Sequence, residues 1–478
     1  MIALYAICAA VFVFLTVIFV KAVLFVPEKE KARNAPPVSV DTELAMRNLS
    51  ELIRCKTVSC TNRAFEDEGE FEKFKKLLPR LFPRVYEACI YEEPSDRSIL
   101  LRWCGESSEM PTVLMAHYDV VGVSEDEWDK PAFDGIIENG VLWGRGALDT
   151  KATLSGILTA AESLIEQNYK PKRDIYFAFG GDEEINGYGA KRIVELFVSR
   201  GIEPGMVLDE GGAVVDNVFP GVSRQSALIG IAEKGVVNIE YSVKSSGGHS
   251  SAPAGVTPID RLSLACTKVA GKPFKYKLTP PAREMFDTLA RNSAFIYRLI
   301  FSNLWLFSPI LNIITKRRGG ELCALVRTTS AFTQMRGSDG MNVIPPVASI
   351  VSNHRIIPGE TTHSVEQKIK KTVDDDKVEI RIIGGSNPSP ISDTSCEGWR
   401  TLVTAIKDNW KGVIASPYLM FASSDSRHFA EISNRVYRFS AMTLSQEERA
   451  LIHGNNERIS ASQVKENVEF YVRLMKLI

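Results

Sequence analysis

Four apolar runs of strand character in this chain each end in carboxylate or imidazole side chains. Together with the residues that follow them, they read PTVLMAHYD, VLWGRGALDTK, IYFAFGGDEE and MVLDEGG. Open α/β sheets keep their active sites where the strands stop, so these side chains are expected at one shared edge. A later histidine, His453, carries the same type of ligand. The sequence therefore predicts a histidine and carboxylate site beside a mostly parallel sheet.

The side chains at these strand ends suit a pair of metal ions. Borderline divalent ions such as zinc bind imidazole nitrogen and carboxylate oxygen, and two neighbouring ions need a carboxylate that bridges them. We assign the bridge to Asp149. His117 and Asp209 are assigned to one ion. Glu184 and His453 are assigned to the other ion.

Two further acidic residues are assigned other roles. Asp119 follows His117 by two positions, so on an extended backbone it points the same way and is expected to orient the imidazole. Glu183 and Glu184 are adjacent and cannot both reach one metal from a strand end. Glu183 is therefore the candidate general base, which takes a proton from the attacking water and passes it to the leaving amine. Each motif alone is also compatible with a capped turn or a solvated acidic surface, but their joint placement favours a site.

The bulk composition limits the class of protein. A chain of 478 residues exceeds what one core supports, so two packed units plus appendages are expected. The formal net charge of -1 leaves no basic excess, so nucleic acid is not an expected partner. The 8 cysteines are scattered and are interpreted as mostly buried thiols, although a Cys55–Cys60 bridge stays open.

The N-terminal segment is apolar enough to span a membrane. No charged side chain precedes Lys21, and the apolar character resumes after it as far as Val26. We expect a single-pass anchor over 1–26 and a polar stalk over 27–40. A cleaved signal peptide is the alternative, which the lack of a basic n-region disfavours. The basic residues that follow the span favour a cytoplasmic catalytic part, but a lone span also inserts the other way, so the sidedness stays open. These residues are Lys21, Lys29, Lys31 and Arg33.

The chain after the stalk is expected to form a catalytic domain interrupted by an insertion. The catalytic parts are predicted at 41–232 and 386–478, and a separate α+β domain at 233–385. Within the insertion, residues 295–316 are apolar but broken by an arginine and a proline. Core packing in an enlarged domain is one interpretation of this stretch. A surface for an acyl chain or for the bilayer is the other.

The motifs resemble those of a known family. MAHYDVV, GRGALDTK, GGDEE and VLDEGG, with the late histidine in IHGNNE, look like the di-zinc amidohydrolases that include aminoacylase, acetylornithine deacetylase, succinyl-diaminopimelate desuccinylase and carboxypeptidase S. The resemblance covers residues 41–478 and implies a zinc-exopeptidase-like α/β catalytic domain. It implies two Zn²⁺ ions on the five ligands named above, with Co²⁺ or Mn²⁺ as alternatives. It also implies that Asp119 orients the imidazole, that Glu183 is the base and that the Asp149–Thr150 peptide bond is cis.

The insertion is similar to the lid and dimerisation domain of the same family. His249 in SSGGHSS matches the histidine that polarises the substrate carbonyl, and a turn histidine capped by Ser250 or Ser251 is its alternative. Asn342 and Arg355 resemble positions that hold the substrate. Arg355 would clamp a carboxylate with two hydrogen bonds, and a strand-surface cation is its alternative. The remaining histidines match no ligand position and are interpreted as surface or packing residues: His354, His363 and His428.

Within the family, the N-terminal span, the enlarged lid and the LDEGG and RHF segments look most like the carboxypeptidase S branch and its relative that acts on N-fatty-acyl amino acids. The resemblance implies a membrane-anchored zinc hydrolase of an amide bond beside a free carboxylate, in an N-acyl amino acid or a C-terminal peptide. It leaves open a homodimer through the lid. The alternatives are a general dipeptidase or short-chain deacylase, and, from another class, an inactive membrane-tethered binding protein. A serine hydrolase is disfavoured because the chain lacks a G-x-S-x-G elbow.

Overall fold

The computed structural model describes residues 1–28, 33–253 and 255–478. Lys29 and Lys31, which bear on the membrane orientation, lie outside the described residues, as does part of the expected stalk. The helices of the described residues are α1 Ile2–Leu24, α2 Thr42–Ile53, α3 Glu68–Leu81, α4 Pro83–Ala88, α5 Lys151–Glu166, α6 Gly189–Arg200, α7 Pro258–Gly271, α8 Pro280–Arg291, α9 Phe295–Phe301, α10 Leu304–Arg318, α11 Gly320–Val326, α12 Thr362–Val373, α13 Glu397–Asn409, α14 Gln446–Arg449 and α15 Ala461–Leu477. Short 3-10 helices lie at Arg63–Phe65, Glu125–Glu127, Asp425–Arg427 and Phe429–Glu431.

The strands form one large sheet and three smaller ones. They are β1 Ile90–Glu92, β2 Ser98–Trp103, β3 Ser107–His117, β4 Ile136–Glu138, β5 Val141–Trp143, β6 Arg173–Gly180, β7 Met206–Val215, β8 Ser226–Glu233, β9 Gly235–Lys244, β10 Gly248–His249, β11 Thr329–Arg336, β12 Val343–Ile344, β13 Val347–Ile356, β14 Glu379–Ser386, β15 Ile414–Met420, β16 Val436–Thr443 and β17 Arg458–Ser460. The large sheet has 8 strands in the order β1-β2-β6-β3-β7-β16-β8-β15.

The centre of the large sheet is parallel, as the alternation of strands and helices predicts. β3 runs parallel to β6 and to β7, and β7 runs parallel to β16. β1 and β2 add an antiparallel edge, so the whole sheet is mixed. The apolar runs of β3 and β6 are buried almost throughout, because helices cover both faces of the sheet. The α/β class and the mostly parallel centre predicted from the sequence are confirmed.

Two hydrophobic cores lie on the two faces of this sheet. On one face the helices α2, α5 and α15 pack against the sheet, with residues such as Leu154, Ile157 and Tyr471 fully or almost fully buried. On the other face α6 packs through Ile193 and Phe197. α5 begins at Lys151, so the preceding loop leaves Asp149 at the carboxyl edge of the sheet.

The insertion contains a second, antiparallel sheet with its own core. Its order is β11-β13-β9-β14, and α7 and α12 pack against it. The burial of β9 alternates along the strand, as expected for a sheet with one face on a core and the other face in solvent.

The segment from α8 to α11 packs differently from the expectation of one inserted domain at 233–385. Met285, Phe286 and Leu289 form a buried stripe on α8 that joins the core of the large sheet rather than the core of the insertion. Phe219, which follows β7, lies 4.7 Å from Phe301 between ring centroids. By packing, α8, α9 and α11 therefore join the core of the large sheet, although the chain reaches them from within the insertion.

The N-terminal helix α1 is long and apolar enough to cross a membrane, a property that a signal sequence shares. Its 23 residues are exposed apart from Ile18 and Ala22. The cysteines are all free thiols, including Cys55 and Cys60, so the structure contains no bridge between them.

Candidate metal centre

Histidine and carboxylate side chains converge at the carboxyl edge of the large sheet. They form two overlapping groups whose ligand atoms lie within 4.8 Å of one another. The first group is His117, Asp149 and Glu184, and the second is His117, Glu183 and Glu210. The side chains come from the ends of β3 and β6, from within β7 and from the loop before α5. The edge predicted from the strand-end pattern is where the structure places them.

Asp149 lies between the two imidazoles. Its Oδ1 is 3.0 Å from Nε2 of His117, and its Oδ2 is 3.0 Å from Nε2 of His453. Nε2 of His453 is also 3.0 Å from Oε2 of Glu184. Because each oxygen of Asp149 faces a different histidine, this carboxylate has the geometry of a bridge between two ions. Four of the five predicted ligands are thus together, and the Asp149–Thr150 bond is cis, as the family resemblance implied.

The fifth predicted ligand, Asp209, does not point into this cluster. Its Oδ1 accepts a hydrogen bond from the backbone N–H of Glu210 at 2.9 Å, and its Oδ2 accepts one from the N–H of Ser426 at 2.9 Å. Oε1 of Glu210 instead lies 3.4 Å from Nε2 of His117. In the structure it is thus Glu210, rather than the predicted Asp209, that contacts His117, which makes Glu210 a further candidate ligand.

The different orientations of Asp209 and Glu210 follow from a bulge in β7. Arg438 and Phe439 are consecutive on β16, yet they pair with Asp209 and Gly212 of β7. Glu210 and Gly211 are therefore extra residues in β7, which breaks the alternation that would otherwise decide which side chain faces the site. Gly211 has a φ of +145°, and a Cβ there would lie 2.7 Å from the Cβ of Arg438, so a side chain does not fit. In the sequence, the adjacent acids and glycines of LDEGG are compatible with a bulge, but they do not decide which acid faces the site.

Asp119 connects the two strand ends that carry the site. Its side chain is fully buried, and its Oδ1 lies 3.4 Å from Nδ1 of His117. The same carboxylate accepts hydrogen bonds from the backbone N–H groups of Glu183 at 3.2 Å and Glu184 at 3.1 Å, and from Oγ of Ser59 at 2.7 Å. Asp119 thus contacts the imidazole and also fixes the backbone from which the candidate base and a candidate ligand project.

The loop that carries Asp149 is held by a residue that the sequence analysis missed. The carboxylate of Glu457 is fully buried, and its Oε1 accepts hydrogen bonds from the N–H groups of Leu148 at 2.6 Å and Asp149 at 3.1 Å. Its Oε2 lies 2.7 Å from Nη1 of Arg145 and accepts from the N–H of Gly146 at 3.1 Å. Glu457 therefore ties this loop to the segment of His453. The only sequence signal was an acid four residues after a candidate ligand.

The electrostatics of the cluster reflect acids crowded in a buried space. Burial raises the pKa of the Glu183 carboxyl well above its ordinary value and raises that of Glu210 to about 8. Burial also opposes the charge of Asp149, but hydrogen bonds from His117 and His453 outweigh it and lower the Asp149 pKa. The hydrogen bond that His453 donates to Asp149 is the largest cause that raises the His453 pKa to about 10.

These residues fit a pair of divalent cations. Several buried carboxylates without enough nearby positive charge are costly to ionise, and bound cations would neutralise them. The donors are imidazole nitrogen and carboxylate oxygen without a cysteine, a set that suits borderline and harder divalent ions. Glu183 belongs to the second group in the present geometry, so the candidate base lies within reach of the same cations.

The predicted lid residues His249 and Asn342 contact other residues of the insertion. His249 is exposed, pairs across β10 and β12 with Val343, and its Nδ1 lies 2.8 Å from Oγ of Ser251. Asn342 is exposed and its backbone oxygen accepts a hydrogen bond from Ser250 N at 3.0 Å. Arg355 is exposed on β13. The structure therefore brings together four of the five predicted ligands, Asp119 and Glu183, whereas the contacts described for the lid residues lie within the lid.

Comparison with known proteins assigns this architecture to a class. Residues 113–477 match the family described as Peptidase family M20/M25/M40. The chain belongs to this family of peptidases and amidohydrolases, and it is an enzyme of that class.

Two curated relatives resemble the chain over most of its length. The probable carboxypeptidase S-like 2 of Dictyostelium discoideum is 36% identical over 444 residues, which cover 91% of this chain and 85% of that protein. The N-fatty-acyl-amino acid synthase/hydrolase PM20D1 of Xenopus tropicalis is 35% identical over 451 residues, covering 92% and 88%. The branch of the family predicted from the motifs is therefore confirmed.

A solved structure supports the fold. The M20 family metallo-carboxypeptidase Sso-CP2 from Sulfolobus solfataricus superposes with a TM-score of 0.67 at 16% sequence identity, covering 91% of this chain and 98% of that chain. At this identity the similarity establishes the shared fold alone.

Proposed function

We propose that the protein is a membrane-anchored, zinc-dependent hydrolase that cleaves an amide bond beside a free carboxylate. The observation that carries the proposal is the Glu183 carboxyl, which is shielded from solvent beside two ligand groups that share His117. In a cluster of acids on the protein surface, the candidate base would be exposed to solvent, and no further carboxylate would contact the imidazole. The substrate class is that of the relatives, an N-acyl amino acid or a C-terminal peptide bond.

The metal pair would be held by residues of both groups. Asp149 would bridge, with His117 and Glu210 on one side and Glu184 and His453 on the other. Bound Zn²⁺ would polarise the scissile carbonyl and lower the pKa of the attacking water, and Co²⁺ or Mn²⁺ could replace it on the same donors. Asp119 would keep the His117 imidazole in the orientation that presents Nε2 to the ion.

Glu183 would move the proton. Its backbone is fixed by Asp119, and burial raises its pKa well above its ordinary value, so the carboxyl holds a proton more readily than an exposed glutamate. We assign to it the proton transfer from the attacking water to the nitrogen of the leaving amine. Both transfers use the same carboxyl oxygens, so no second acid is required.

The lid would complete the substrate site. We assign the polarisation of the substrate carbonyl to His249 and the binding of the substrate to Asn342 and Arg355, whose guanidinium suits a carboxylate. All three are exposed, and so they are available to a substrate or to a neighbouring subunit in a homodimer. The antiparallel sheet of the insertion would form the dimer contact, while 41–232 and 386–478 together with α8 to α11 would form the catalytic unit.

The test is hydrolysis by the full-length protein in detergent, using a panel of long-acyl and acetyl amino acids and dipeptides. We expect zinc-dependent turnover that chelation abolishes and that Glu183→Gln lowers by about 10²–10⁴ in kcat with both ions still bound. Glu195→Gln, an exposed carboxylate on α6, is the matched control and should keep wild-type turnover. Preference for long acyl chains would fit the proposal, whereas equal rates on dipeptides would favour a general dipeptidase. Folded, metal-loaded protein that is inactive on the whole panel would contradict the proposed function.

A further inference from the structure

The helix pair α9 and α10 lies against the N-terminal helix α1 in a regular order. From the C-terminal end of α1 inwards, Nη1 of Arg291 donates to the backbone oxygen of Val26 at 3.2 Å. The rings of Phe19 and Phe295 are 5.4 Å apart, and those of Phe14 and Trp305 are 5.9 Å apart. The chain therefore runs along α1 towards its N-terminus as it passes from the end of α8 into α10.

This order sets how far the pair reaches along α1. Phe14 lies about 15 Å before Leu24 along the helix axis, at about 1.5 Å per residue. If α1 spans a bilayer whose apolar core is about 30 Å thick, Trp305 lies well inside that core. Because Trp305 contacts Phe14, this part of the helix pair would then also lie in the apolar core and not in water.

The outward face of α10 is apolar. Trp305, Ile310 and Ile313 are 59%, 52% and 52% exposed. Two polar side chains of the same helix point inward, because Nη2 of Arg327 donates to Oδ1 of Asn312 at 3.0 Å and to Oγ1 of Thr315 at 2.8 Å. A helix at a water interface has the opposite arrangement, whereas a helix at a lipid interface presents its apolar face outward.

The bend between the two helices is also compatible with an apolar environment. α9 and α10 meet at about 100°. Asn303 at the bend is fully buried, and its Nδ2 donates to the backbone oxygens of Ile18 at 3.2 Å and Leu299 at 2.9 Å. Non-helical backbone is tolerated at membrane depth only where protein covers it, and here α1 and α9 supply that cover.

The C-terminal end of α10 is basic. Lys316, Arg317 and Arg318 occupy its last turn and are exposed. From Trp305 to Arg318 the helix spans about 20 Å at about 1.5 Å per residue, which is enough to return from the level of Phe14 to the membrane surface. Cations at that level attract anionic lipid headgroups. The remaining charge in the pair, Arg298, lies over the ring of Phe295 near the entry point, where a long side chain can reach the surface.

We propose that α9 and α10 form a re-entrant pair that inserts into the lipid bilayer beside α1, with the basic end of α10 at anionic headgroups. This inference rests on the membrane anchor of the proposed function. The bilayer is favoured over a second copy of the chain because the apolar face is continuous with α1 and ends in three cations. The catalytic core would then lie directly on the membrane, because α8 and α11 on either side of the pair pack into it.

The test uses full-length protein in vesicles of phosphatidylcholine and phosphatidylglycerol, with or without lipids brominated along the acyl chain. Bromine quenches a tryptophan only when the ring enters the apolar layer. We expect the wild type to be quenched and Trp305→Phe to lose most of that quenching. Trp143→Phe, which removes a ring beside Arg458 on the β5 side of the molecule, is the control and should be quenched like the wild type. Equal quenching of wild type and Trp305→Phe would overturn the inference.

Two further readouts separate this inference from the anchor and from catalysis. A tag at the N-terminus of α1 reports by protease protection whether α1 has inserted. If the tag is protected but Trp305 is not quenched, α1 is an anchor and the inserted helix pair is rejected. If the tag is not protected and Trp305 is not quenched, both the anchor and the inserted pair are rejected. Photoactivatable phospholipid needs no variant, and its adducts are expected within residues 295–318; adducts confined to α1 would count against the inserted pair. Amide hydrolysis in detergent reports on catalysis independently of either result.

Discussion

Glu210, and not its neighbour Asp209, presents a carboxylate oxygen to His117, at 3.4 Å from Nε2. The bulge in β7 turns Glu210 into the cluster and leaves the Asp209 carboxylate to bind the N–H of Ser426. Two adjacent acids on one strand thus have different roles, one facing the candidate ions and the other facing the loop that contains Asp425.

Substitution of these two acids should separate the roles. Glu210→Ala removes a proposed ligand, so we expect one bound ion per chain instead of the proposed two. Asp209→Asn should keep both ions at saturating metal and weaken their binding by about 10-fold, because it acts on the position of the ligands rather than on the ion. Elemental analysis and calorimetric titration with zinc measure both quantities. One ion in Asp209→Asn and two in Glu210→Ala would show that Asp209, and not Glu210, is the ligand.

Loss of Glu457 should be among the most destabilising substitutions of an acidic side chain. Glu457→Ala leaves Arg145 as a buried charge without its partner, and removing one member of such a pair costs about 3–5 kcal/mol in the free energy of unfolding. The matched control is Glu397→Ala, which breaks an exposed ion pair with Arg173 and should cost less than about 1 kcal/mol. Urea denaturation of the chelated proteins, followed by circular dichroism, measures the difference. Similar midpoints for the two variants would contradict this account of the buried pair.

His354 should make the stability of the insertion sensitive to acid. Its ring is buried between Oγ of Ser330 and Oγ of Ser352, at 2.8 Å and 2.7 Å. Burial, with a smaller contribution from Lys368, lowers its pKa to about 4 from the ordinary 6.5. As the pH falls, His354 therefore takes up a proton in the unfolded chain before it does so in the folded chain. The stabilisation is complete above pH 6.5 and is lost as the pH falls to 4, by about 3 kcal/mol in total.

The measurement is the slope of unfolding free energy against pH in wild type and His354→Gln. We expect a shallower slope in the variant between these two pKa values, whatever its absolute stability. His363→Gln replaces an exposed histidine and should keep the wild-type slope. Parallel slopes in wild type and His354→Gln would show that His354 is not the titrating group.

Removal of the metal should destabilise the folded protein, because the crowded carboxylates of the site then lack the cations that would neutralise them. Ions that bind only the folded chain add RT ln(1 + [L]/Kd), which is about 2.7 kcal/mol when free zinc is 100 times its Kd. Chelation should therefore lower the thermal midpoint, and zinc should restore it. Glu210→Ala should regain only part of this increment. A midpoint that chelator and zinc leave unchanged would argue against a metal centre.

Much of the fold and the site could be predicted from the sequence because the determining patterns are local. The apolar runs that end in His117 and Gly180 are buried on both faces, so a continuous hydrophobic stretch was sufficient to place the strands. Asp119 could be assigned from its spacing to His117 alone. His354, in contrast, has no pattern that distinguishes a buried ring from an exposed one.

The remaining features depend on contacts between distant parts of the chain. The choice between Asp209 and Glu210 is made by the pairing of β7 with β16, which lies more than two hundred residues later in the chain. The stripe of Met285, Phe286 and Leu289 shows that α8 is buried on one side, but it does not show which core covers it. For the same reason, Glu457 could not be recognised as the support of the Asp149 loop.

The two sides of the metal centre differ in how they can respond to ions of different size. Asp119 ties His117, Glu183 and Glu184 to the ends of two central strands, so these groups shift only if the sheet does. His453 sits on a turn, has a φ of +59° and keeps 53% of its side chain exposed. An ion with longer bonds would therefore be accommodated mainly by movement of this turn. Differences in metal preference between related enzymes should follow the residues that set the mobility of the turn rather than the ligands themselves.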